Sequence, residues 1–452
     1  MKKTLQEIAE WLNVDAGPFA NIVVTGASIN TRTLEVGDLF IPFRGEQVNG
    51  HQYVEQAFEN GASAALWLEG EPNPPQNRPI LFVKNSAEAL QRIASCYRSE
   101  LRATFIGITG SNGKTSTKDL VAGLLSTKFK IIKTQGNFNN ELGLPLTILA
   151  IEPDTEVAVL EMGMSSFGEI EFLSTLAKPQ FTVITNIGEA HLQDLGSREG
   201  ITKAKMEIIT GMPEDGKLFF DGDEPLLRQA VAEIPNIKAV PYGKEEANEL
   251  CLKNTSFTAE GTTFTVEGLV EGEFMLRVLG EHQAKNALAA ILIGKELGLS
   301  TDEIQSGLKT VQLTDMRMQV IETKGPTFIN DAYNAAPTSM RAAIQFLTAA
   351  DFGKAKWLVL GDMLELGDEE LAYHRDLAGD ISVDSFQGVA LLGSRMKELY
   401  TALKPTFGEQ VYWSEEMKDI QNFLKQHVSE GQLVLLKGSR GMKVERAIEP
   451  FI

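Results

Sequence analysis

The sequence contains little cysteine and little positive charge. Cys96 and Cys251 are its only cysteines, too few for a disulfide framework or a structural zinc site and typical of a reducing compartment. Lys and Arg number 42 against 61 Asp and Glu, which gives a formal net charge of −19. Such a surface repels nucleic-acid backbones and anionic lipids, so neither is an expected partner. An anionic substrate would therefore need a local cluster of positive charge.

Long apolar segments are also missing. No apolar run approaches the roughly 20 residues that a membrane-spanning helix needs. The first three residues resemble the start of a signal peptide, but Gln6, Glu7 and Glu10 interrupt the apolar core that such a peptide requires. The sequence therefore predicts a cytoplasmic protein without membrane insertion.

The chain is long enough for several globular domains. It has 452 residues, of which 43% are hydrophobic and 23% are charged. At roughly 150 residues a domain, this length predicts three domains. We place them at residues 1–100, 101–313 and 314–452, all of the α/β class. No internal repeat, coiled coil or low-complexity tract is visible in the sequence.

The hydrophobic pattern changes along the chain. Leu5, Ile8, Ala9 and Leu12 repeat at helical spacing, and short apolar runs follow, so the first domain is predicted to be a small mixed α/β domain. The second begins a regular alternation of strands and helices, which predicts a mostly parallel sheet. Its strands are expected at Thr104–Thr109, Val157–Met162, Phe181–Asn186 and Lys217–Phe220, with antiparallel hairpins at residues 257–278.

The third domain repeats this alternation of strands and helices. It predicts a second doubly wound, Rossmann-like sheet, in which ligands bind at the carboxyl ends of the strands. The strands are expected at residues 327–330, 357–361, 389–393 and 433–436.

A glycine-rich segment between a strand and a helix carries the strongest chemical signal. Residues 107–115 read GITGSNGKT, and this context is the one in which a phosphate-binding loop occurs. Backbone amides of such a loop surround phosphate oxygens, Lys114 adds a positive charge, and Thr115 offers a hydroxyl to magnesium. A solvated helix cap would share the Gly-Lys-Thr sequence, but the strand before it favours nucleotide binding.

Three further residues near this segment are candidates for metal binding. Glu161 ends a buried strand, where a carboxylate could hold magnesium or could simply be solvated. His191 follows another strand and is either a metal ligand or the cap of a turn. Lys205 lies on a predicted helix, where a lysine is ordinarily an exposed ion-pair partner.

Polar turns follow three predicted strands of the last domain. They comprise residues 330–339, 361–367 and 437–441, and together they predict a binding face. Lys437 and Arg440 could anchor a carboxylate there.

Two other segments resemble protein-kinase motifs. Asp351-Phe352-Gly353 and His374-Arg375-Asp376 have the residues of these motifs but occur in the wrong order. No Asn-Lys-x-Asp guanine motif is present either. The kinase interpretation therefore fails, and the missing guanine motif disfavours a GTPase function.

These motifs resemble those of the Mur ligase superfamily of cell-wall enzymes. The central domain carries the resemblance at residues 107–117, Glu161, His191 and Lys205. The last domain adds DAYNAAPTS at 331–339, GDMLELG at 361–367 and KGSR at 437–440. These three segments narrow the resemblance to the members of the superfamily that join D-alanyl-D-alanine to a UDP-N-acetylmuramoyl-tripeptide. Departures from the family pattern occur at Gln283, Met316 and Asp221-Gly222-Asp223.

The resemblance implies a role for each domain. The first would bind the UDP end of the substrate through Ser28, Thr31, Arg32 and Asn49. The second would bind ATP and two Mg²⁺ ions, with Lys205 carbamylated, and the third would receive the dipeptide. The implied ATP contacts are Gly110, Ser111, Asn112, Gly113, Lys114, Thr115, Ser116, Asn286, Arg317, Asp331 and Tyr333. The implied metal ligands are Thr115, Glu161, His191 and the carbamate of Lys205. The implied catalytic residues are Lys114, Lys205 and His191. The implied dipeptide contacts are Asn334, Ser339, Lys437, Ser439 and Arg440.

The implied reaction forms an acyl phosphate on the tripeptide, which the amine of the dipeptide then attacks. Domain closure would precede this chemistry, and we expect a monomer.

Two alternative functions stay open at this point. One is another amide ligase of the superfamily, adding a single amino acid or a glutamate to folate. The other is a nucleotide-binding regulator without ligase activity.

Overall fold

The computed structural model describes residues 1–45, 48–189, 191–258, 260–350 and 353–452. Ala190, beside His191, and the first two residues of the kinase-like Asp351-Phe352-Gly353 lie outside the described residues. The chain forms two compact units, each built from several segments. The first unit comprises Met1–Ile108, Lys128–Thr182 and Glu207–Gly216, and the second comprises Thr109–Thr127, Val183–Met206 and Lys217–Ile452.

The first 100 residues form the predicted small α/β arrangement. Strands β3 to β6 make a four-stranded parallel sheet, while β1 and β2 pair antiparallel. Helix α1 begins at a capping box of Thr4 and Glu7 and ends at Asn13, which has a left-handed φ of 56°. The elements are β1 Lys3–Thr4, α1 Leu5–Leu12, β2 Val23–Val24, β3 Gly26–Ser28, β4 Asp38–Phe40, α2 Val54–Glu59, β5 Ala64–Leu68, β6 Ile80–Val83 and α3 Ser86–Glu100.

The next segment confirms the predicted change from parallel strands to hairpins. Strands β7, β9 and β8 pair in parallel within the first unit. Within the second unit β11, β12 and β13 pair in parallel, and β13, β14 and β15 pair antiparallel. The elements are β7 Thr104–Thr109, α4 Lys114–Leu125, β8 Ile131–Lys133, α5 Gly143–Leu149, β9 Val157–Glu161, α6 Glu169–Ala177, β10 Phe181–Ile184, α7 Leu192–Leu195, α8 Arg198–Met206, β11 Lys217–Asp221, α9 Pro225–Ala232, β12 Ala239–Gly243, β13 Leu250–Thr258, β14 Gly261–Gly268, β15 Gly272–Leu276, α10 Glu281–Glu296 and α11 Thr301–Leu308.

The remaining residues form a six-stranded sheet in the order β16-β17-β21-β18-β19-β20. Only the edge pair β16–β17 is antiparallel among these neighbours. The elements are β16 Gln319–Glu322, β17 Thr327–Asn330, α12 Pro337–Ala349, β18 Lys356–Gly361, α13 Glu370–Asp376, β19 Gly388–Leu392, α14 Lys397–Phe407, β20 Val411–Ser414, α15 Met417–His427 and β21 Leu433–Lys437.

This last sheet has a separate apolar core on each face. Leu358 and Leu360 pack with side chains of α12 and α14 on one face. Trp357 and Val359, which alternate with them along β18, pack with α15 on the other. Helices on both faces confirm the predicted doubly wound architecture, and they leave the carboxyl edge of the sheet for binding. Among the described residues, no helix is both long enough and apolar enough to cross a membrane.

Candidate active site

The glycine-rich loop follows β7 and leads into α4, as predicted. Gly110 has a φ of +147°, and an added Cβ there would overlap the hydroxyl of Thr185. Gly113 has a φ of +81°, and its Cβ would lie 2.9 Å from Oδ1 of Asn286. Both positions need glycine, because left-handed backbone and close neighbours exclude a side chain. The loop therefore presents backbone amides at the start of α4, the arrangement that binds phosphate.

The segment after β10 holds this loop in shape. The hydroxyl of Thr185 donates to the carbonyl of Asn112. Asn186 accepts at Oδ1 from the amide of Asn112 at 2.9 Å, and its carbonyl accepts from the amide of Ser111 at 3.1 Å. Sequence reasoning missed both residues as loop supports, although they stand in the Thr-Asn that precedes the His191 segment. A preformed loop needs less ordering when a nucleotide binds.

Lys114 lies folded over the loop. Its ammonium donates to the carbonyls of Gly110 at 2.7 Å and Ser111 at 3.3 Å. Thr115 and Ser116 follow in the first turn of α4, and both are buried. The charge of Lys114 is thus held against the backbone of the glycine-rich loop.

Lys205 is buried on α8 and differs from the exposed lysine that a helix surface ordinarily carries. Lys205 is only 1% exposed. Its ammonium has no hydrogen-bond or ion-pair partner among the residues that the structure describes. Burial, with a smaller effect of the Lys114 charge, lowers the pKa of Lys205 well below its usual range. Burial therefore favours the neutral amine of Lys205 over the charged form.

His191 caps the short helix α7 with a left-handed φ of 65°. Burial, then the charges of Lys114 and Lys205, lowers the pKa of His191. The shift favours the neutral imidazole, which is the form that binds metals. Glu161, the third candidate, is buried at the end of β9 in the first unit, where Asn139 donates to its Oε1 at 2.9 Å.

The implied nucleotide contacts beyond the loop have a definite arrangement. Asn286 lies on α10 against Gly113, and its amide donates to Gln283 at 3.3 Å. The guanidinium of Arg317 lies 4.2 Å from the ring centroid of Tyr333. The Nε of Arg317 is buried without a hydrogen-bond partner among the described atoms. Buried donors in proteins are nearly always hydrogen-bonded, so this one needs a partner such as an ordered water or a ligand.

The family departures at Gln283 and Met316 have structural consequences. Gln283 supplies the acceptor that orients Asn286. Met316 adopts a φ of +62°, a conformation in which glycine is free and other residues are strained. Its sulfur contacts the guanidinium of Arg440 at 3.1 Å. Asp221 and Asp223 both accept from Lys285, at 2.7 and 2.8 Å.

A cavity of about 260 Å³ lies at the carboxyl edge of the six-stranded sheet, within the second unit. Its walls combine polar groups with small and apolar side chains. The lining residues are His191, Tyr333, Asn334, Ala335, Ala336, Leu364, Glu365, Leu366, Ser439, Arg440 and Gly441. Three of the five implied dipeptide contacts, Asn334, Ser439 and Arg440, are therefore brought together.

The other two implied dipeptide contacts, Lys437 and Ser339, form hydrogen bonds within the protein. Lys437 is 4% exposed, and its ammonium donates to Asp331 Oδ2 at 2.5 Å and to the carbonyl of Asn334 at 3.2 Å. Ser339 caps α12, accepting from the amide of Ala336 at 3.0 Å. This geometry disfavours Lys437 as the carboxylate anchor. Arg440 is more accessible, although it pairs with Glu445 at 2.6 Å.

The implied UDP contacts lie in the segments that follow β3 and β4. Ser28 ends β3, and Thr31 and Arg32 lie in the turn after it. Asn49 lies after β4, next to Gly50, whose amide donates to the carbonyl of Phe43. The side chain of Asn49 accepts from the amide of His51 at 3.1 Å and donates to Glu71 at 2.7 Å, so it also shapes its own loop.

Comparison with known proteins assigns the chain to a family. Residues 23–98 match the catalytic domain of the Mur ligase family, residues 108–294 match the Mur ligase middle domain, and residues 316–440 match the Mur glutamate ligase domain. The chain therefore belongs to the Mur ligase family, and its fold is the three-domain α/β fold of that family.

Full-length relatives narrow the similarity. The chain is 46% identical to a UDP-N-acetylmuramoyl-tripeptide–D-alanyl-D-alanine ligase of Bacillus subtilis, over 100% of this chain and 99% of the relative. It is 31% identical to the ligase of that name from Escherichia coli, over 98% and 97% of the two chains.

Solved structures agree with this similarity. A MurF structure from Acinetobacter baumannii matches with a TM-score of 0.89 and 27% identity, covering 100% of this chain and 98% of that one. MurF ligase from Thermotoga maritima, solved in complex with ADP, matches with a TM-score of 0.82 and 30% identity, covering 94% and 96%.

Proposed function

We propose that this chain is an ATP-dependent ligase that adds D-alanyl-D-alanine to UDP-N-acetylmuramoyl-tripeptide in peptidoglycan precursor synthesis. The observation that carries the proposal is the 46% identity to a ligase of this name over the whole chain. Its fold and loop supply the parts that such a reaction requires. By this proposal the chain acts in cell-wall biogenesis, and through it in cell shape, cell division and the cell cycle.

The loop between β7 and α4 is proposed to hold the phosphates of ATP. Its backbone amides and the ammonium of Lys114 would neutralise charge on the transferring phosphoryl group. Gly110, Ser111, Asn112, Gly113 and Ser116 would complete the cradle, with Asn286, Arg317, Asp331 and Tyr333 on the nucleoside side. The buried, unpaired Nε of Arg317 supports a ligand at that position.

Magnesium ions are the proposed metal cofactor. Among the residues that the structure describes, no group of three or more His, Cys, Asp or Glu side chains is close enough together to hold a metal ion. The candidate donors are oxygens and an imidazole, which fits a cation that completes its coordination with ATP phosphates and water. Thr115, Glu161 and His191 would hold the ions, which supply charge neutralisation.

Lys205 is the proposed site of carbamylation. Reaction of its neutral amine with CO₂ would replace a buried cation by an anion, which a second magnesium ion could bind. The burial of Lys205, its lowered pKa and its lack of a partner among the described residues support this proposal.

The proposed chemistry has two steps. A carboxylate oxygen of the tripeptide attacks the γ-phosphorus of ATP, and the bond to the bridging oxygen breaks as ADP leaves. The amine of the dipeptide then attacks the acyl carbon, and phosphate leaves with the former carboxylate oxygen while the amine loses a proton. The residues of the chain would position these groups and stabilise the developing charge, the two contributions on which phosphoryl transfer depends.

Each domain is proposed to bind one substrate. Residues 1–100 would hold the UDP end at Ser28, Thr31, Arg32 and Asn49. Residues 101–313 would bind ATP, and residues 314–452 would receive the dipeptide in the cavity lined by Asn334, Ser439 and Arg440. These boundaries are supported by the three family matches, each of which falls inside one proposed domain. We further propose a cytoplasmic location, which the low cysteine content supports, and a monomeric state.

A phosphate-release assay with each component omitted in turn tests this function. We expect release only when ATP, UDP-N-acetylmuramoyl-tripeptide and D-alanyl-D-alanine are all present, with lysine or diaminopimelate as the third peptide residue. Single D-alanine and glutamate, offered as amines, should support less than a few per cent of that rate. Release with glutamate and a folate instead would establish the other ligase class, and ATP binding without any release would establish a regulator.

A further inference from the structure

The cavity at the edge of the six-stranded sheet is lined by one negatively charged and one positively charged side chain. Of the described residues that line it, Glu365 carries the one carboxylate and Arg440 the one guanidinium. Ala335, Ala336, Leu364 and other apolar groups form much of the remaining wall. A zwitterionic dipeptide, roughly 7 Å long, has a matching pattern of ammonium, methyl groups and carboxylate.

The Glu365 carboxylate is available to a ligand. Its side chain is 73% exposed, and its Oε2 lies 3.9 Å from Nδ1 of His191, beyond hydrogen-bonding distance. Within the described part of the chain, no donor forms a hydrogen bond with it. Arg440, by contrast, already has Glu445 as a partner.

The backbone around Glu365 is held in an unfavourable conformation. Glu365 has a φ of +64°, which glycine adopts freely and other residues rarely adopt. The amide of Met363 donates to Nε2 of buried His374 at 2.9 Å, and the amide of Leu364 donates to Ser439 Oγ at 3.0 Å. Strain at a residue that faces a cavity points to a function for its side chain.

We propose that Glu365 binds the ammonium group of the incoming dipeptide and so selects a ligand with a free amine. The assignment rests on the proposed function and adds a residue that the sequence motifs did not single out as a ligand contact. The position of Glu365 beside His191 places the amine at the end of the cavity where His191 lies. Arg440, the one guanidinium among the described lining residues, would hold the carboxylate.

A pair of ligands that differ only in the ammonium group tests this assignment. N-propanoyl-D-alanine is D-alanyl-D-alanine with hydrogen in place of the ammonium group, and it is a competitive inhibitor if it enters the cavity. The KM for the dipeptide and the inhibition constant of this analogue are measured in the full reaction for wild type and variants.

Glu365→Gln is expected to raise the KM for the dipeptide roughly 5- to 20-fold, the range for loss of a partly exposed charged hydrogen bond. The inhibition constant of the analogue should stay within about twofold of wild type. Glu365→Gly should lose the same discrimination and unfold at an equal or higher temperature, because glycine relieves the left-handed strain. Arg440→Ala should weaken both ligands by similar factors, since both carry the carboxylate.

Glu369→Gln is the matched control. It removes the same charge from an exposed position that is outside the cavity lining, and it should change neither constant. An equal effect of Glu365→Gln on both ligands, no effect on either, or a change only in the magnesium requirement would overturn the assignment. Wild type without dipeptide-dependent phosphate release would instead refute the proposed function, and the assignment with it.

Discussion

Lys114→Ala is expected to lower turnover by more than two orders of magnitude while the protein stays folded. The ammonium is held over the loop by the carbonyls of Gly110 and Ser111, so its charge is in place before the nucleotide arrives. Removal of one preorganised donor from a developing oxyanion costs roughly 10²- to 10³-fold in other enzymes. A full cationic charge beside a phosphoryl group should cost at least as much.

Steady-state phosphate release and circular dichroism check this expectation together. Lys309→Ala, which removes an exposed lysine, is the control and should retain wild-type turnover. If the folded Lys114→Ala variant turned over within about threefold of wild type, the loop would not be the site of phosphoryl transfer.

Lys205→Ala is expected to lose roughly 100-fold or more of the activity, with partial recovery in added acetate or formate. The loss follows if the carbamate of Lys205 supports a metal ion, and a small carboxylate can enter the space that the truncated side chain leaves. Lys203→Ala, an exposed lysine on the same helix, should behave as wild type. Full activity of Lys205→Ala, or loss that no carboxylate relieves, would contradict carbamylation.

The stability of a Lys205→Met variant gives an independent check. Because the pKa of Lys205 is lowered in the folded protein, the unfolded chain binds more protons, and the buried amine destabilises the fold at neutral pH. This penalty disappears as pH rises toward the usual lysine range. In CO₂-free buffer the variant should therefore be more stable than wild type at pH 7, with a difference that shrinks at alkaline pH.

The strand framework was predictable because buried strands have strong local patterns. Residues 104–109, 327–330 and 433–436 were found almost as the structure has them. Strands β8, β12 and β16 were missed, since their residues are mostly half-buried and show no continuous apolar run. Strand β10 ends at Ile184, two residues before the prediction, because Thr185 and Asn186 turn to support the glycine-rich loop.

The sequence predicted candidate site residues where a polar residue type follows a strand. It did not predict the burial or the hydrogen-bond partners of these residues, which depend on their surroundings in the fold. The family resemblance singled out Lys205, whereas its position on a helix predicted an exposed lysine; only the structure shows that the residue is buried. Lys437 looked like a free cation in a turn, whereas Asp331 binds it. Glu365 lies in the turn 361–367, which was expected to contribute to a binding face. The sequence did not single it out as a ligand contact, because its left-handed φ and its place in the cavity depend on the packing of distant segments.

The path of one oxygen atom tests the central claim most directly. The tripeptide is prepared with ¹⁸O in its terminal carboxylate and converted with ATP and D-alanyl-D-alanine, and the released phosphate is analysed by mass spectrometry. Activation as an acyl phosphate predicts one ¹⁸O atom in each phosphate released and a pentapeptide product that keeps the other. Phosphate free of ¹⁸O, formed at the rate of the product, would contradict the account.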